Sequence, residues 1–310
     1  MFCILAFVVL SIMGLFSASH RELSQEAWQC VWLRVTMRPC TVGFKEKMKG
    51  RIIAALLHRS TLTARILHKH FELFSWVIVL LTIVSTLWAF RGVYNFYFYG
   101  SCNGLNSSGF CVFDPTGANN QVSSLNTQCA ATPPKETDLH LSPVPVDEFP
   151  TKNKGAKNKI VFIGCYSCDY TRKSYPEIQT LVRDTGAQYS FIHFPVKDET
   201  KYLSEYTECI SKLEPQNFWQ WNDDVFASDK KDITDPKYIE TLMTNNGINP
   251  KTILDCVANP ITKEITERHN NEVRATGIYG TPTIFFNGRA YVGPKPYRVY
   301  RNALRSFRFF

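Results

Sequence analysis

Residues 159–194 read KIVFIGCYSCDYTRKSYPEIQTLVRDTGAQYSFIHF. Lys159–Gly164 is a short apolar run of strand length. Asp169–Thr185 carries Ile178, Leu181 and Val182 at the spacing of one helix face. Gln188–Phe194 is a second strand, rich in aromatic and β-branched residues. Cys165 and Cys168 therefore stand at a strand-to-helix turn inside a β-α-β unit, a context that gives a CxxC pair redox meaning.

The position explains the chemistry. A thiol attacks a disulfide only as its thiolate, and free cysteine ionises near ~8.5. Unpaired backbone N–H groups and the positive end of the helix dipole favour an anion at a helix start. On this reading Cys165 is the nucleophile, and Cys168, one turn into the helix, is the resolving thiol. Half of a zinc site is the competing reading. It would need a second closely spaced ligand pair, and cysteines 102, 111, 129, 209 and 256 form no second CxxC. No metal is expected.

Downstream, residues 277–293 read GIYGTPTIFFNGRAYVG. Thr283–Phe286 and Arg289–Val292 are predicted to form a hairpin about Asn287-Gly288. Pro282 stands just before the first strand, where a proline that does not break the sheet is expected to be cis. A basic helix is expected from about Tyr297 to Arg308. Between the two motifs lie helix-like segments at 201–213, 215–227, 236–245, 250–258 and 261–276.

A CxxC at the end of a first strand, followed by Gly-Thr-Pro-Thr before a hairpin and a last helix, resembles the thioredoxin fold. The long helical stretch between them, about 200–275, resembles the insertion of DsbA-like thiol–disulfide oxidoreductases. EPQNFWQWNDDVF, residues 214–226, is similar to a helix of that insertion. The resemblance covers residues 158–310. It implies an α/β thioredoxin fold with a helical insertion and a catalytic pair Cys165 and Cys168. It also implies a substrate-binding loop at Thr281 and Pro282, where the backbone of Thr281 pairs with an extended substrate segment. Tyr166 and Ser167, between the cysteines, are expected to face substrate. They replace the Pro-His of the strongly oxidising founder, so oxidising strength does not carry over. The only redox group implied is the Cys165–Cys168 pair, with no cofactor. The expected partners are protein thiols and disulfides and a membrane redox partner, quinone-linked or a reductant relay.

Cys209 and Cys256 fall on two segments of the insertion and are candidates for a structural disulfide, worth about 3–4 kcal/mol; two buried free thiols are the other reading. Cys102 and Cys111 share one loop and are expected to pair, or else to act as a shuttle dithiol. Cys129 is left without a role. Cys30 and Cys40 are read as reduced, and His193 and His269 as surface or satisfied histidines.

The N-terminal part is of another kind. Residues 1–18 and 73–90 contain no charged side chain, and each is near the lower limit for a membrane-spanning helix. Ten of the 35 Lys and Arg residues, against three acids, lie from Arg21 to Lys69. That stretch holds +7 of the formal charge of +8. Charge so confined between apolar runs follows the positive-inside rule rather than the spread expected of a nucleic-acid binder. No Lys or Arg precedes the first run, which favours a retained anchor over a cleaved signal. Two transmembrane helices are predicted, 1–18 and 73–91, joined by a basic cytoplasmic loop, 19–72. Part of that loop reads as a helix lying on the lipid bilayer or as a short cytosolic hairpin. Residues 92–157 read as an exported stem, with five prolines from Pro133 to Pro150. Asn106-Ser107-Ser108 within it matches a glycosylation sequon.

Together these features point to a multi-pass protein of the cell membrane, with its CxxC domain on the extracytoplasmic side acting as a thiol–disulfide oxidoreductase. The alternative is a non-catalytic thioredoxin-fold module that binds or scaffolds a membrane partner.

Overall fold

The computed structural model describes residues 18–36, 69–107, 109–124 and 139–305, with a few single positions between 50 and 66. The chain divides into two units, residues 1–90 and 91–310. In the first, helix α1 (Ala18–Val35) carries the buried Ala27 and Cys30. Cys30 is disulfide-bonded, not the reduced thiol expected, because charge bias reports on the side of a membrane and not on which thiols meet. The expected first membrane helix lies, but for Ala18, outside the described residues.

Helix α2 (Phe71–Tyr99) is unbroken over 29 residues, about 43 Å at 1.5 Å per residue. Its stretch Trp76–Tyr99 is the one span among the described residues long and apolar enough to cross a membrane. Leu80, Leu81, Leu87, Trp88 and Phe90 are more than half exposed. Thr82 and Thr86 donate back to the carbonyls of Ile78 and Thr82, at 2.8 and 2.7 Å, so neither hydroxyl is left for an apolar medium to desolvate. The aromatic run from Tyr94 to Tyr99 forms its last turns.

The second unit is built on one mixed sheet. Its strands are β2 (Thr151–Lys152), β3 (Lys159–Gly164), β4 (Gln188–His193), β6 (Thr283–Phe286) and β7 (Arg289–Val292). They lie in the order β2-β4-β3-β6-β7. Only β3 and β4 are parallel, joined by helix α3 (Asp169–Thr185). A separate two-residue ladder pairs β1 (Ser123–Ser124) with β5 (Gly280–Thr281).

Side chains alternate across the sheet. Ile160, Phe162, Tyr189, Phe191, Ile284, Phe286 and Tyr291 enter one core with α3 and the insertion. Val161, Ile163, Ile192, Phe285, Ala290 and Val292 enter the other. With both faces covered, β3 reads as an uninterrupted apolar run.

The insertion is five helices between β4 and β5: α4 (Leu203–Leu213), α5 (Phe218–Ala227), α6 (Pro236–Asn245), α7 (Pro250–Val257) and α8 (Pro260–Ala275). The last three each begin with an Asx-Pro pair. Asp235, Asn249 and Asn259 accept from the second backbone N–H inside, while proline takes the first position, where no N–H is needed. Helix α9 (Tyr297–Arg305) closes the described chain.

The proposed stem departs from its reading as a tether wherever it is described. Leu139, Val144 and Phe149 are buried in the second core, the N–H of His140 donates to Thr276, and β2 extends the sheet. Here Pro143 and Pro145 sit in a turn and before a single 3-10 turn, Val146–Glu148, which lay the segment on the domain rather than leave a free linker. The Asn106 side chain donates to the carbonyl of Ala290 at 3.0 Å and accepts from the N–H of Val292 at 2.8 Å. Its amide is held against β7.

Candidate active site

β3 ends at Gly164 and α3 begins at Asp169, so Cys165-Tyr166-Ser167-Cys168 forms the turn between them. Cys168 is the residue that caps the helix rather than one lying a turn inside, and its N–H donates to the carbonyl of Cys165 at 3.2 Å. The peptide bond Thr281–Pro282 is cis. The loop containing it is tied down by the N–H of Gly293 donating to Pro282, at 2.9 Å. The Thr283 hydroxyl also donates to Gly280, at 2.8 Å. From this loop the Thr281 hydroxyl donates to the sulfur of Cys168 at 3.3 Å. Cys165, Cys168, Thr281 and Pro282 are thus brought to one place. Both sulfurs are unbonded, and both cysteines are wholly buried.

The two thiols are driven apart electrostatically. Cys165 is held well below the ordinary thiol range, chiefly by the hydrogen bond from Cys168. The Ser167 hydroxyl adds to this against the opposing cost of burial. Cys168 is pushed up, first because its proton serves Cys165 and then by burial. One proton shared between two sulfurs leaves a thiolate at Cys165 and a thiol at Cys168. Ser167 lies 3.5 Å from the Cys165 sulfur and 3.1 Å from the Thr200 hydroxyl, itself 3.7 Å from that sulfur.

Tyr166, expected to face substrate, packs into the core instead, while Ser167 lies against the Cys165 sulfur. Both are wholly buried. The Tyr166 hydroxyl donates to Asn222 at 2.8 Å, and its ring stacks on His193 with centroids 4.4 Å apart. Burial raises the phenol's pKa far above its ordinary value, so it remains a neutral donor. A large aromatic with a partner for its hydroxyl is most stable in the core, and α5 supplies that partner. Asn222 also donates to the Tyr175 hydroxyl at 2.6 Å, and Tyr175 in turn donates to Asp223.

Two further residues stand at this turn, of which the sequence reading passed over only Arg172. His193, read as a surface or satisfied histidine, is buried at the end of β4, and its Nε2 donates to the Thr200 carbonyl at 3.1 Å. Burial lowers its pKa despite the thiolate nearby, so the ring is neutral at pH 7. Arg172, on the first turn of α3, donates to Tyr166 at 2.6 Å and to the carbonyls of Val225, Phe226 and Ser228 at 3.2, 3.2 and 2.5 Å. One guanidinium thereby closes the end of α5 and fixes the CxxC turn to the insertion. Arg172→Ala leaves these carbonyls without their charged donor and is expected to cost about 2–3 kcal/mol, read as a lowered urea midpoint at unchanged slope.

The remaining site residues fall into place separately. Cys209 on α4 and Cys256 on α7 are bonded, with Cα atoms 6.0 Å apart. Cys102 and Cys111 are bonded, with Cα atoms 5.2 Å apart. His269 is buried and bonded to Glu148 at 3.0 Å. Among the described residues no cluster of His, Cys, Asp or Glu is arranged to hold a metal ion.

A family model described as thioredoxin matches residues 153–306. No curated protein matches the sequence. Among solved structures, the thiol-disulfide exchange protein alpha-DsbA2 from Wolbachia pipientis is 17% identical, with a TM-score of 0.46, over 51% of this chain and 86% of that one. BdbD from Bacillus subtilis is 18% identical, with a TM-score of 0.44, over 52% and 90%. A periplasmic thioredoxin-like protein from Salmonella enterica serovar Typhimurium is 17% identical, with a TM-score of 0.45, over 51% and 88%. With its central sheet, its paired cysteines at a strand-to-helix turn and a cis proline beside them, the segment 153–306 has a thioredoxin-like fold and matches the thioredoxin family model.

Proposed function

We propose that this chain is a membrane-tethered thiol–disulfide oxidoreductase, exchanging disulfides with extracytoplasmic proteins through Cys165 and Cys168 and recycled by a redox partner in the membrane. The observation that carries the reading is the polarised pair of sulfurs beside a cis-proline loop, with Thr281 bonded to Cys168. The disulfides Cys102–Cys111 and Cys209–Cys256 suit an oxidising compartment. The exposed apolar face of Trp76–Tyr99 suits a bilayer.

In the reduced state the Cys165 thiolate attacks one sulfur of a substrate disulfide. A bond forms between Cys165 and that sulfur, and the other substrate sulfur leaves as a thiolate. Cys168 then gives up its proton and attacks the Cys165 sulfur, and the second substrate thiolate departs. The substrate gains two electrons and the domain is oxidised to a Cys165–Cys168 disulfide. The same steps reversed oxidise a substrate dithiol.

The test is catalysed insulin-disulfide exchange by the full chain in detergent, with iodoacetamide labelling of reduced Cys165 followed from pH 6 to 8. Catalysis is expected, and labelling should hardly vary with pH, because Cys165 is already a thiolate. A thiol of ordinary acidity would slow roughly 75-fold from pH 8 to pH 6. Absence of exchange in every redox buffer overturns the proposal. The lowered pKa also carries a linkage. Its contribution to the reduced fold is complete at ~8.5, the unfolded thiol value, and is lost as pH falls through the folded value, while above ~8.5 the raised pKa of Cys168 works against it.

A further inference from the structure

We propose that the chain's own strand Ser123–Ser124 occupies, in cis, the position beside Thr281 at which a substrate segment pairs, so that exchange requires residues 121–124 to move aside. The inference rests on the exchange function proposed above and adds a built-in occupant of its site.

β1 pairs antiparallel with β5, Ser123 opposite Thr281 and Ser124 opposite Gly280. This is main-chain pairing on the residue immediately before the cis proline. An added strand is held in the same way, by backbone bonds that do not depend on its sequence. Paired opposite Thr281, Ser123 also lies close enough to Cys168 to favour its thiolate, at the sulfur that Thr281 reaches. Ser123 therefore lies against the dithiol itself, and both cysteines are closed to solvent.

The fit is close along its length. A Cβ on Gly280 would lie 2.6 Å from the carbonyl oxygen of Ser123 and 2.7 Å from a methyl of Val122. A Cβ on Gly293 would lie 2.8 Å from the carbonyl carbon of Asn120 and 2.8 Å from the oxygen of Gln121. Two glycines, one before the cis proline and one after β7, thus make a track that admits this backbone.

The segment is also anchored upstream of its two paired residues. The Asp114 carboxylate accepts from the N–H groups of Ala118 and Asn119, both at 3.0 Å. The Asn119 side chain donates to Gly100 at 2.9 Å, and the buried Lys295 ammonium donates to Asn120. The Cys102–Cys111 bond closes the loop from which the segment leaves. The anchors lie at 114–120 and only two residues pair at the site, so the strap can peel from Thr281 while its base stays folded.

The test uses the full chain in detergent. In the first arm, Val122→Gly with Ser123→Gly loosens the strap and leaves both cysteines and the cis-proline loop intact. Iodoacetamide labelling of reduced Cys165 is expected to speed up at least tenfold over the unaltered chain, and insulin exchange to rise with it. Equal labelling rates overturn the inference. In the second arm, Ser123→Cys is combined with Cys165→Ser and treated with oxidised glutathione. Each glutathione disulfide takes two electrons and two protons from a thiol pair. Mass spectrometry is expected to find the introduced thiol joined to Cys168, and its absence in a chain that keeps Cys209–Cys256 bonded overturns the placement. Both arms read position without turnover. If labelling accelerates and the cross-link forms while no variant exchanges insulin, the strap stands and the exchange reading falls.

Discussion

Cys165→Ser is expected to abolish disulfide exchange, by at least about 10³-fold, while Cys168→Ser traps substrate. With Cys165 gone, no thiolate remains at the turn. Cys168 is left as a buried thiol whose sulfur is engaged by Thr281, with Ser123 close by. In Cys168→Ser a hydroxyl replaces the thiol that donates to Cys165 and can itself donate, so attack continues. The mixed disulfide, once formed, has no resolving sulfur within reach and persists. A non-reducing gel of the full chain with a disulfide-bonded substrate separates these outcomes: no adduct for Cys165→Ser, and adduct abolished by reductant for Cys168→Ser. Adduct from Cys165→Ser alone would reverse the roles assigned here. Full exchange in both variants would leave the scaffold reading in place.

Removal of the Cys209–Cys256 bond is expected to have the largest effect on stability. The bond joins α4 to α7 across 47 positions. Opening a loop of that size releases chain entropy in the unfolded state worth about 4 kcal/mol. Both sulfurs sit against the Thr262 hydroxyl at the start of α8, so the bond also fixes three helices at one point. Cys209→Ala with Cys256→Ala should lower the urea midpoint accordingly. Cys165 alkylation in the folded chain should change little, because the CxxC turn is fixed through α5 by Arg172 and Tyr166.

The elements that hold the dithiol were legible because each is written locally. β3, α3, β6 and β7 begin and end where the period of their apolar residues and their turn signals place them. The five helices of the insertion were found from the same patterns, and three of them announce themselves by Asx-Pro. Two kinds of feature were not legible. Strands of two residues, such as β1 on β5 and β2 on β4, are too short to leave a side-chain pattern, so a turn-rich segment reads as a linker. Partnerships across long separations were equally invisible. Tyr166 looks like a polar residue between two cysteines until Asn222, 56 positions away, takes its hydroxyl. Arg172 looks like one more surface cation until the end of α5 meets it. The N-terminal charge bias indicated a membrane side but gave no hint that Cys30 is bonded.

The amide of Asn106 has a further consequence for how the molecule meets its own kind. β7 is an outer strand of the sheet, and an open strand invites pairing with another chain, the first step toward aggregation. By accepting from Val292 and donating to Ala290, Asn106 supplies one donor and one acceptor, as a neighbouring strand would, and ends the sheet there. At the opposite margin β2 offers only two residues, too short a template for a stable intermolecular ladder. The domain therefore closes both margins of its sheet with segments that precede the CxxC in the chain. A shortened protein beginning at Lys159 would expose both margins and be prone to self-association.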